Sequence, residues 1–550
     1  MALQDIQNKT VLVTGGATGL GAKYAESFLK HGAKSVAILD IAEDVGKATT
    51  ERLNKTYGSK VVFIKCDVSK EDDITKAFDA VVAQFKQVDV LINNAGVMID
   101  AQAWRLASDV NWQGLVSFTL KTVKHMRKDE GGAGGTIVNI ASTAALSRVN
   151  ALPIYCGSKS AVLHFSQCLA LPPFFETTGI RVMVFCPNAT DTALLHNIEL
   201  RSYDPKLGAA LAADLVDAVF QTSDSAAKAF IEMFQTGAPG SIWLSQDNRP
   251  AQNITATVDS AFQKLEALSC YFRKQRVKVT MALQDIQNKT VLVTGGATGL
   301  GAKYAESFVK HGAKSVAILD IAEDVGKATT ERLNKTYGNK VVFIKCDASK
   351  EDNITKAFDA VVAQFKHVDV VINNAGVMTD AQAWRLASDV NWQGLVSFTL
   401  KAVKHMRKDE GGAGGTIINI ASTAALTRSN ALPIYCGSKS AVMHFSQCLA
   451  LPPFFETTGI RVMVFCPGPT DTALLQNLGP RSYDPKLGAA LEADFKDVVY
   501  QTSDSAAKAF IEMFQTGAPG SIWLSQDNRP AQDITATVDS AFQTLEALVQ

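Results

Sequence analysis

The segment Tyr155-Cys156-Gly157-Ser158-Lys159 sets a phenol and an ammonium four residues apart, on one face if the segment is helical. Ser142 lies thirteen residues upstream at the end of a strand-like run, and Asn111 precedes both on a predicted helix. A hydride leaves an alcohol only when the hydroxyl proton is taken away, and a phenol of pKa about 10 is mostly protonated at neutral pH. An ammonium about 4 Å away, at an effective dielectric of about 20, is worth about 4 kcal/mol or roughly three pKa units. Lys159 alone is therefore expected to bring Tyr155 near neutrality, while Ser142 holds the substrate oxygen. In isolation a Tyr-x-x-x-Lys pair also reads as a packed tyrosine and a solvated lysine, so its weight comes from what accompanies it.

What accompanies it is a glycine-rich turn. Thr14-Gly15-Gly16-Ala17-Thr18-Gly19-Leu20-Gly21 follows a strand-like run and opens a helical stretch through Tyr24, Ala25, Phe28 and Leu29. Such a turn lets backbone amides and a helix end approach a pyrophosphate, which makes Gly15, Thr18, Gly19, Leu20 and Gly21 candidate cofactor contacts. Nineteen residues beyond Gly21, Asp40 ends the second strand, where a carboxylate accepts hydrogen bonds from a ribose and repels an added phosphate. Gly16 and Ile41 supply no compensating cation, so NAD is expected rather than NADP.

The elements that position these residues occur twice. The stretch from Met281 repeats that from Met1 without a gap, Leu548 matching Leu268, and roughly twenty-five of the 268 aligned positions differ. Adding 280 therefore supplies a second set: Asn391, Ser422, Tyr435 and Lys439, with Gly295, Thr298, Gly299, Leu300, Gly301 and Asp320. Two independently folding domains are expected, 1–268 and 281–550, joined by a basic linker at 269–280. Met281 also resembles a start codon, so a tandem fusion and two adjacent genes read as one both fit.

Within each copy, apolar runs of strand length alternate with longer amphipathic stretches. This predicts an α/β fold: a Rossmann-type, doubly wound parallel sheet in three αβα layers, in tandem. Strands are expected at 10–14, 35–40, 61–66, 88–93, 136–142, 181–186 and 241–244. Ligands in such sheets sit beyond the carboxyl ends of the strands, where most of the unusual polar residues fall.

Composition narrows the function. Zero formal net charge removes the attraction that nucleic acid or an acidic membrane surface needs. Nine cysteines without a Cys-x-x-Cys pair read as reduced cytosolic thiols, and His31, His125, His164 and His196 lack metal-ligand spacing, so no metal site is expected. No apolar run approaches a membrane span, and a soluble cytoplasmic protein without a targeting segment is the expectation.

Together these residues resemble the short-chain dehydrogenase/reductase family, through the glycine turn, Asp67 after the third strand, and Asn93-Asn94-Ala95-Gly96. The resemblance covers nearly all of each copy. It implies that Asn111, Ser142, Tyr155 and Lys159 form a catalytic tetrad in which Asn111 holds a water linking Lys159 to solvent. It also implies that Asp67 and Val68, with Asp347 and Ala348, border the adenine. Asn94, Ala95 and Gly96, with Asn374, Ala375 and Gly376, would support the cofactor from behind, and the tyrosine and lysine would touch it too.

The family's PGxxxT segment, which positions the nicotinamide amide, is matched in copy two by Pro467, Gly468 and Thr472. Copy one reads Pro187-Asn188-Ala189-Thr190-Asp191-Thr192; asparagine tolerates left-handed backbone angles, and Pro187 and Thr192 are retained.

Closer likeness is to insect-type alcohol dehydrogenases and 15-hydroxyprostaglandin dehydrogenases, through Ile64-Lys65-Cys66-Asp67-Val68, the GGxGG loop and Tyr155-Cys156. This implies NAD-linked oxidation of a secondary, aliphatic or lipid-like alcohol. The competing expectations are a non-catalytic ligand-binding or abundant relative, and a tandem in which only copy two is fully active.

Eleven of the substitutions fall between 188 and 220, the stretch that covers substrate in the family, so the copies are expected to prefer different alcohols. Ala193, Leu194, Leu195, Leu146, Val149 and Trp104 are the expected apolar lining. Ala161, Val162, Phe165 and Leu169 recur at helical spacing on a helix that forms the family's dimer bundle. The halves are accordingly expected to pair within one chain as a pseudo-dimer, with a homo-oligomer as the alternative.

Overall fold

Runs such as Thr10–Thr14, dominated by β-branched and aliphatic residues, suit a strand buried on both faces, because each side chain then meets a covering helix. The computed structural model, which describes residues 4–216, 218–270 and 284–549, builds each copy on that plan. Copy one begins β1 (Thr10–Thr14), α1 (Gly19–Lys30), β2 (Ser35–Asp40), α2 (Glu43–Tyr57), β3 (Val61–Lys65), α3 (Glu71–Phe85) and β4 (Val90–Asn93). It continues with α4 (Arg105–Ser108), α5 (Leu115–Met126), β5 (Gly135–Ile140), α6 (Pro153–Leu169), α7 (Phe174–Thr178) and β6 (Ile180–Pro187). Then follow α8 (Pro205–Asp214), α9 (Ser223–Thr236), β7 (Ile242–Ser245), β8 (Gln252–Asn253) and α10 (Thr255–Cys270).

The sheet order is β3-β2-β1-β4-β5-β6-β7-β8, parallel except for β8, which runs antiparallel to β7. The order reverses between β1 and β4, opening the crevice in which a doubly wound sheet binds its ligand. Val11, Leu12 and Val13 are wholly buried. On one face α1 packs on α9 through Tyr24 stacked on Phe230 at 4.1 Å and Phe28 edge-on to Phe234 at 4.9 Å. Copy two repeats this order with β9 (Thr290–Thr294), β10 (Ser315–Asp320), β11 (Val341–Lys345), β12 (Val370–Asn373), β13 (Gly415–Ile420), β14 (Ile460–Pro467), β15 (Ile522–Ser525) and β16 (Gln532–Asp533).

Three local expectations shift. The fifth strand ends at Ile140, so Ser142 stands beyond it as the cap of a short turn, its Oγ accepting from Ala144 N at 3.1 Å. Asn111 sits in a π-helical segment, Asp109–Gly114, between α4 and α5, an irregularity common at functional sites. The two-residue β8 was not expected, since a strand that short carries no readable periodicity.

Helix α10 runs through Ser269 and Cys270, where the linker was expected to begin; the rest of that linker, 271–280, lies outside the described residues. The chain divides into two compact units, Met1–Ala261 with Phe542–Gln550, and Phe262–Ala541. These bounds differ from the ends of the repeat, because the last turns of each copy's final helix are grouped with the other copy. Among the described residues no helix is long and apolar enough to cross a membrane.

Candidate active site

Helix α6 brings the phenol and the ammonium together. Pro153 starts it, where a missing N–H costs nothing. Its first free amides are met by a buried carboxylate: Asp100, 1% exposed, accepts from Ile154 N and from Tyr155 N, the latter at 2.9 Å. A carboxylate at a helix N-terminus is favoured by the helix dipole and fixes where the helix begins, so Asp100 sets the position of Tyr155. Sequence spacing could not single it out, since 55 residues separate the partners. Asp380 does the same for Tyr435 at 2.9 Å.

Tyr155 and Lys159 are both 4% exposed. Lys159 Nζ donates to the Ile140 carbonyl at 3.0 Å, at the end of β5, and lies 5.8 Å from the centre of the Tyr155 ring. Ser142 hydrogen-bonds to the Tyr155 hydroxyl. Burial pushes the Tyr155 phenol up to about 12, against a lowering from the Ser142 hydrogen bond. It likewise pulls the Lys159 ammonium down to about 8.

Against the expectation that Lys159 alone brings Tyr155 near neutrality, burial raises the phenol and the Ser142 hydrogen bond is what lowers it. Both groups lose solvation, and the ammonium is aimed at a backbone carbonyl and not at the phenol oxygen. Copy two matches: Lys439 Nζ to Ile420 O at 2.9 Å, Tyr435 at about 12 and Lys439 at about 8.

Asn111 is 1% exposed and its amide is fully engaged. Oδ1 accepts from Val97 N at 2.8 Å, and Nδ2 donates to Val97 O at 2.8 Å and to Ser158 Oγ at 3.1 Å. The side chain thus ties the loop after β4 to α6 through Val97 and Ser158. Asn391 makes the equivalent bonds to Val377 and Ser438.

The glycine turn has the shape an anionic dinucleotide needs. Gly15 has φ +63°, and a Cβ there would stand 2.8 Å from Ala95 Cα; at Gly21 a Cβ would collide with the Gly15 carbonyl oxygen. Thr18 precedes α1 without capping it and the first turn holds no acidic residue, so the helix end keeps its attraction for an anion. Thr14 Oγ1 accepts from Asn94 N at 3.0 Å and Ala95 N at 3.1 Å, while Asn94 Nδ2 donates to the Thr14 and Gly15 carbonyls, both at 3.0 Å. The Asn-Asn-Ala-Gly segment is in this way the brace of the turn.

Asp40 is held by Ala17 N on Oδ2 and Ala42 N on Oδ1, each at 3.0 Å, with Asp320 alike in copy two. Asp67 turns into its own loop, accepting from Ser69 N at 3.0 Å and Ser69 Oγ at 2.6 Å, as Asp347 does with Ser349. These residues fit a nicotinamide dinucleotide.

The two halves of the site meet in one cavity per copy. In copy one, about 270 Å³, Leu20, Pro187 and Thr192 from the cofactor side share walls with Ser142 and Tyr155. In copy two, about 200 Å³, Leu300, Pro467, Gly468 and Thr472 join Ser422 and Tyr435. Leu194, Leu195 and Val149 line it as expected. Ala193 is not part of the lining, Leu146 is fully buried elsewhere and Trp104 lies against the Arg105 guanidinium at 4.9 Å, so these three expected residues do not reach it. Met98, Leu152, Ile198, Leu211 and Val549 line it without having been expected. Of these Met98 alone had a local signal, two residues beyond Gly96.

A short chain dehydrogenase profile matches residues 9–202 and again 289–482. The chain belongs to the short chain dehydrogenase family. Among curated short chain dehydrogenase relatives, the mouse 15-hydroxyprostaglandin dehydrogenase [NAD(+)] is 35% identical over 195 residues, spanning 35% of this chain and 72% of its own. Alcohol dehydrogenase 1 of Ceratitis cosyra is 35% identical over 213 residues, 38% and 81% respectively. The crystal structure of the C-domain of bacterial malonyl-CoA reductase with NADP superposes with a TM-score of 0.61 at 14% identity, covering 93% of this chain and 96% of that one. At that identity the likeness is one of tandem fold. The chain is accordingly a tandem oxidoreductase of this family with two nicotinamide-dinucleotide-type sites.

Proposed function

We propose that each copy oxidises a secondary or aliphatic, lipid-like alcohol to the carbonyl with NAD. The observation that carries this reading is the Ser142–Tyr155 hydroxyl pair set in the wall of an otherwise largely apolar cavity, beside a buried lysine. The Asp40 carboxylate, anchored by two amides, favours a free ribose hydroxyl over a phosphate and supports NAD. The names of the relatives, an NAD-dependent hydroxyprostaglandin dehydrogenase and an alcohol dehydrogenase, agree with this.

The cofactor, when bound, supplies the hydride acceptor. The apolar walls hold the alcohol's carbon chain and exclude water. Ser142 Oγ orients the substrate oxygen, and Tyr155 Oη receives its proton. Lys159, held on the Ile140 carbonyl, stabilises the phenolate that must be present before that transfer. Because burial holds the phenol high, oxidation should accelerate as pH rises and reduction as it falls.

The copies are proposed to differ in preferred alcohol, supported by Val149 facing one cavity where Ser429 faces the other, and by Phe495 in the smaller one. Pairing of the halves through α6 and its repeat, or of whole chains, is proposed from the apolar stripe of that wholly buried helix. Among the described residues eight free, buried cysteines support a cytosolic location.

The test is NADH absorbance on adding NAD and a panel of secondary alcohols to the wild type, Tyr155→Phe, Tyr435→Phe and the double variant. Each single variant should keep one site's activity and the double variant none. Undiminished turnover in the double variant, or none in the wild type, overturns the reading.

A further inference from the structure

At one point on the cavity wall the two copies share a backbone but not a side chain. Asn188 N donates to the Ser245 carbonyl at 2.9 Å, and the Asn188 carbonyl accepts from Thr190 Oγ1 at 2.8 Å and Gln221 Nε2 at 3.2 Å. Gly468 repeats these bonds with Ser525 at 2.8 Å, Thr470 Oγ1 at 2.9 Å and Gln501 Nε2 at 3.4 Å. Neither residue is left-handed, so the backbone requires glycine at neither. Both positions line their cavities, and only copy one presents an amide there. We propose that Asn188 makes copy one selective for alcohols that carry a second, hydrogen-bond-accepting oxygen a few bonds from the carbinol, such as an ether, ester or ketone oxygen, to which Nδ2 donates. This deepens the alcohol dehydrogenase reading and rests on it.

The hydrogen bonds decide which end of the amide is available. One terminal atom of Asn188 accepts from Ala189 N at 2.8 Å, and a backbone amide only donates, so that atom is the oxygen. It accepts from Thr143 Oγ1 at 3.1 Å as well. The other atom is therefore the NH2 group, which meets no acceptor among the described residues and is not enclosed by protein. Thr143 directly follows Ser142, and consecutive Cα atoms stand about 3.8 Å apart, so the donor is carried close to where the reacting oxygen is held.

The neighbouring hydroxyls leave this role to Asn188. Ser147 Oγ donates to Thr143 O at 3.0 Å, Thr190 Oγ1 to Asn188 O at 2.8 Å, and Thr192 Oγ1 to Thr190 O at 3.3 Å, so each has spent its hydrogen inside the wall. An amide NH2 has no lone pair to offer, and it rewards an acceptor oxygen but not a methylene. In copy two the wall instead includes Thr423 and Ser429, whose hydroxyls can donate or accept and so do not demand an acceptor. The side chain is accommodated by a glutamine. A Cβ on Gly468 would stand 2.8 Å from Cβ of Gln526, which is 4% exposed, whereas the equivalent Gln246 beside Asn188 is only half-buried.

The test uses the full chain and isosteric pairs of alcohols, 1-methoxy-2-propanol with 2-pentanol and 4-methoxy-2-butanol with 2-hexanol, in which an ether oxygen replaces a methylene. A Tyr435→Phe background reports copy one. There Asn188→Asp, which keeps an acceptor for Thr143 and Ala189 but turns the donor into an acceptor, should lower the kcat/KM ratio of ether to partner about tenfold in at least one pair. Asn188→Leu, which brings no charge, should lower it about threefold. Each ratio is taken at one NAD concentration, so an effect on the cofactor cancels. If both alcohols of each pair fall together, Asn188 serves the cofactor segment or the fold and the proposal is overturned. It is overturned equally if the ratios shift alike in a Tyr155→Phe background, which reports copy two.

Binding gives a readout independent of turnover. If no alcohol is oxidised in either background the alcohol dehydrogenase reading fails. Saturation-transfer NMR of the same pairs with the full chain then decides for Asn188. A rise of about threefold in the ratio of ether to partner dissociation constants on Asn188→Asp supports the donor, and an unaltered ratio removes it as well.

Discussion

Replacing both active-site lysines, Lys159→Met with Lys439→Met, should destroy catalysis and stabilise the fold. Each ammonium is buried and held from its usual 10.5 down to about 8, a displacement worth about 3 kcal/mol per site at neutral pH. Methionine fills similar volume without the charge, and what is lost is the bond from Nζ to the Ile140 or Ile420 carbonyl, about 1 kcal/mol. The net gain is about 2 kcal/mol in each copy at pH 7, and changing both lysines makes the two copies respond alike.

The pH dependence carries the sign. Below pH 8 the folded and unfolded chains both hold the proton, so the wild type bears the whole penalty. Between 8 and 10.5 the unfolded chain retains a proton that the folded one has released, so the wild type gains stability as pH rises. By pH 9.5 about 2 kcal/mol of the difference should have vanished. Urea unfolding followed by tryptophan fluorescence from pH 6 to 9.5 measures it. A variant less stable than wild type at pH 7, or a difference that does not shrink with rising pH, would refute the reasoning that burial dominates these lysines.

Thr14→Val removes the hydroxyl that accepts from Asn94 N and Ala95 N, and should cost about 2–4 kcal/mol in urea unfolding because two amides lose their acceptor. Gly21→Ala places a methyl against the Gly15 carbonyl; NADH fluorescence titration should show affinity weakened at least about tenfold while far-ultraviolet circular dichroism is retained. Asp40→Ala leaves the Ala17 and Ala42 amides without their carboxylate, and the ratio of kcat/KM with NAD to that with NADP should fall by about tenfold or more.

What could be read from the sequence was what depends on short spacing. The glycine turn, the strand ends at Thr14 and Asp40, and the four-residue step from Tyr155 to Lys159 are local patterns, and each lies where its spacing indicated. Asp100 and Val549 were illegible because the first acts across 55 residues and the second across the whole of copy two. The net direction of the Tyr155 shift was illegible for a different reason. A distance and a dielectric were assumed for the lysine, whereas the loss of water around both groups depends on everything packed around α6. Asn111 was placed on a helix correctly enough, but only the π-helical geometry reveals that its amide is spent on Val97 and Ser158.

The grouping of Phe542–Gln550 with the first copy also bears on the order in which the protein is made. A ribosome finishes the body of copy one some 280 residues before it reaches Val549, which lines that copy's cavity. Throughout that interval the first cavity lacks one of its lining side chains. Any shortened product that stops after copy one would consequently carry every tetrad residue of the first site and still have a differently shaped mouth.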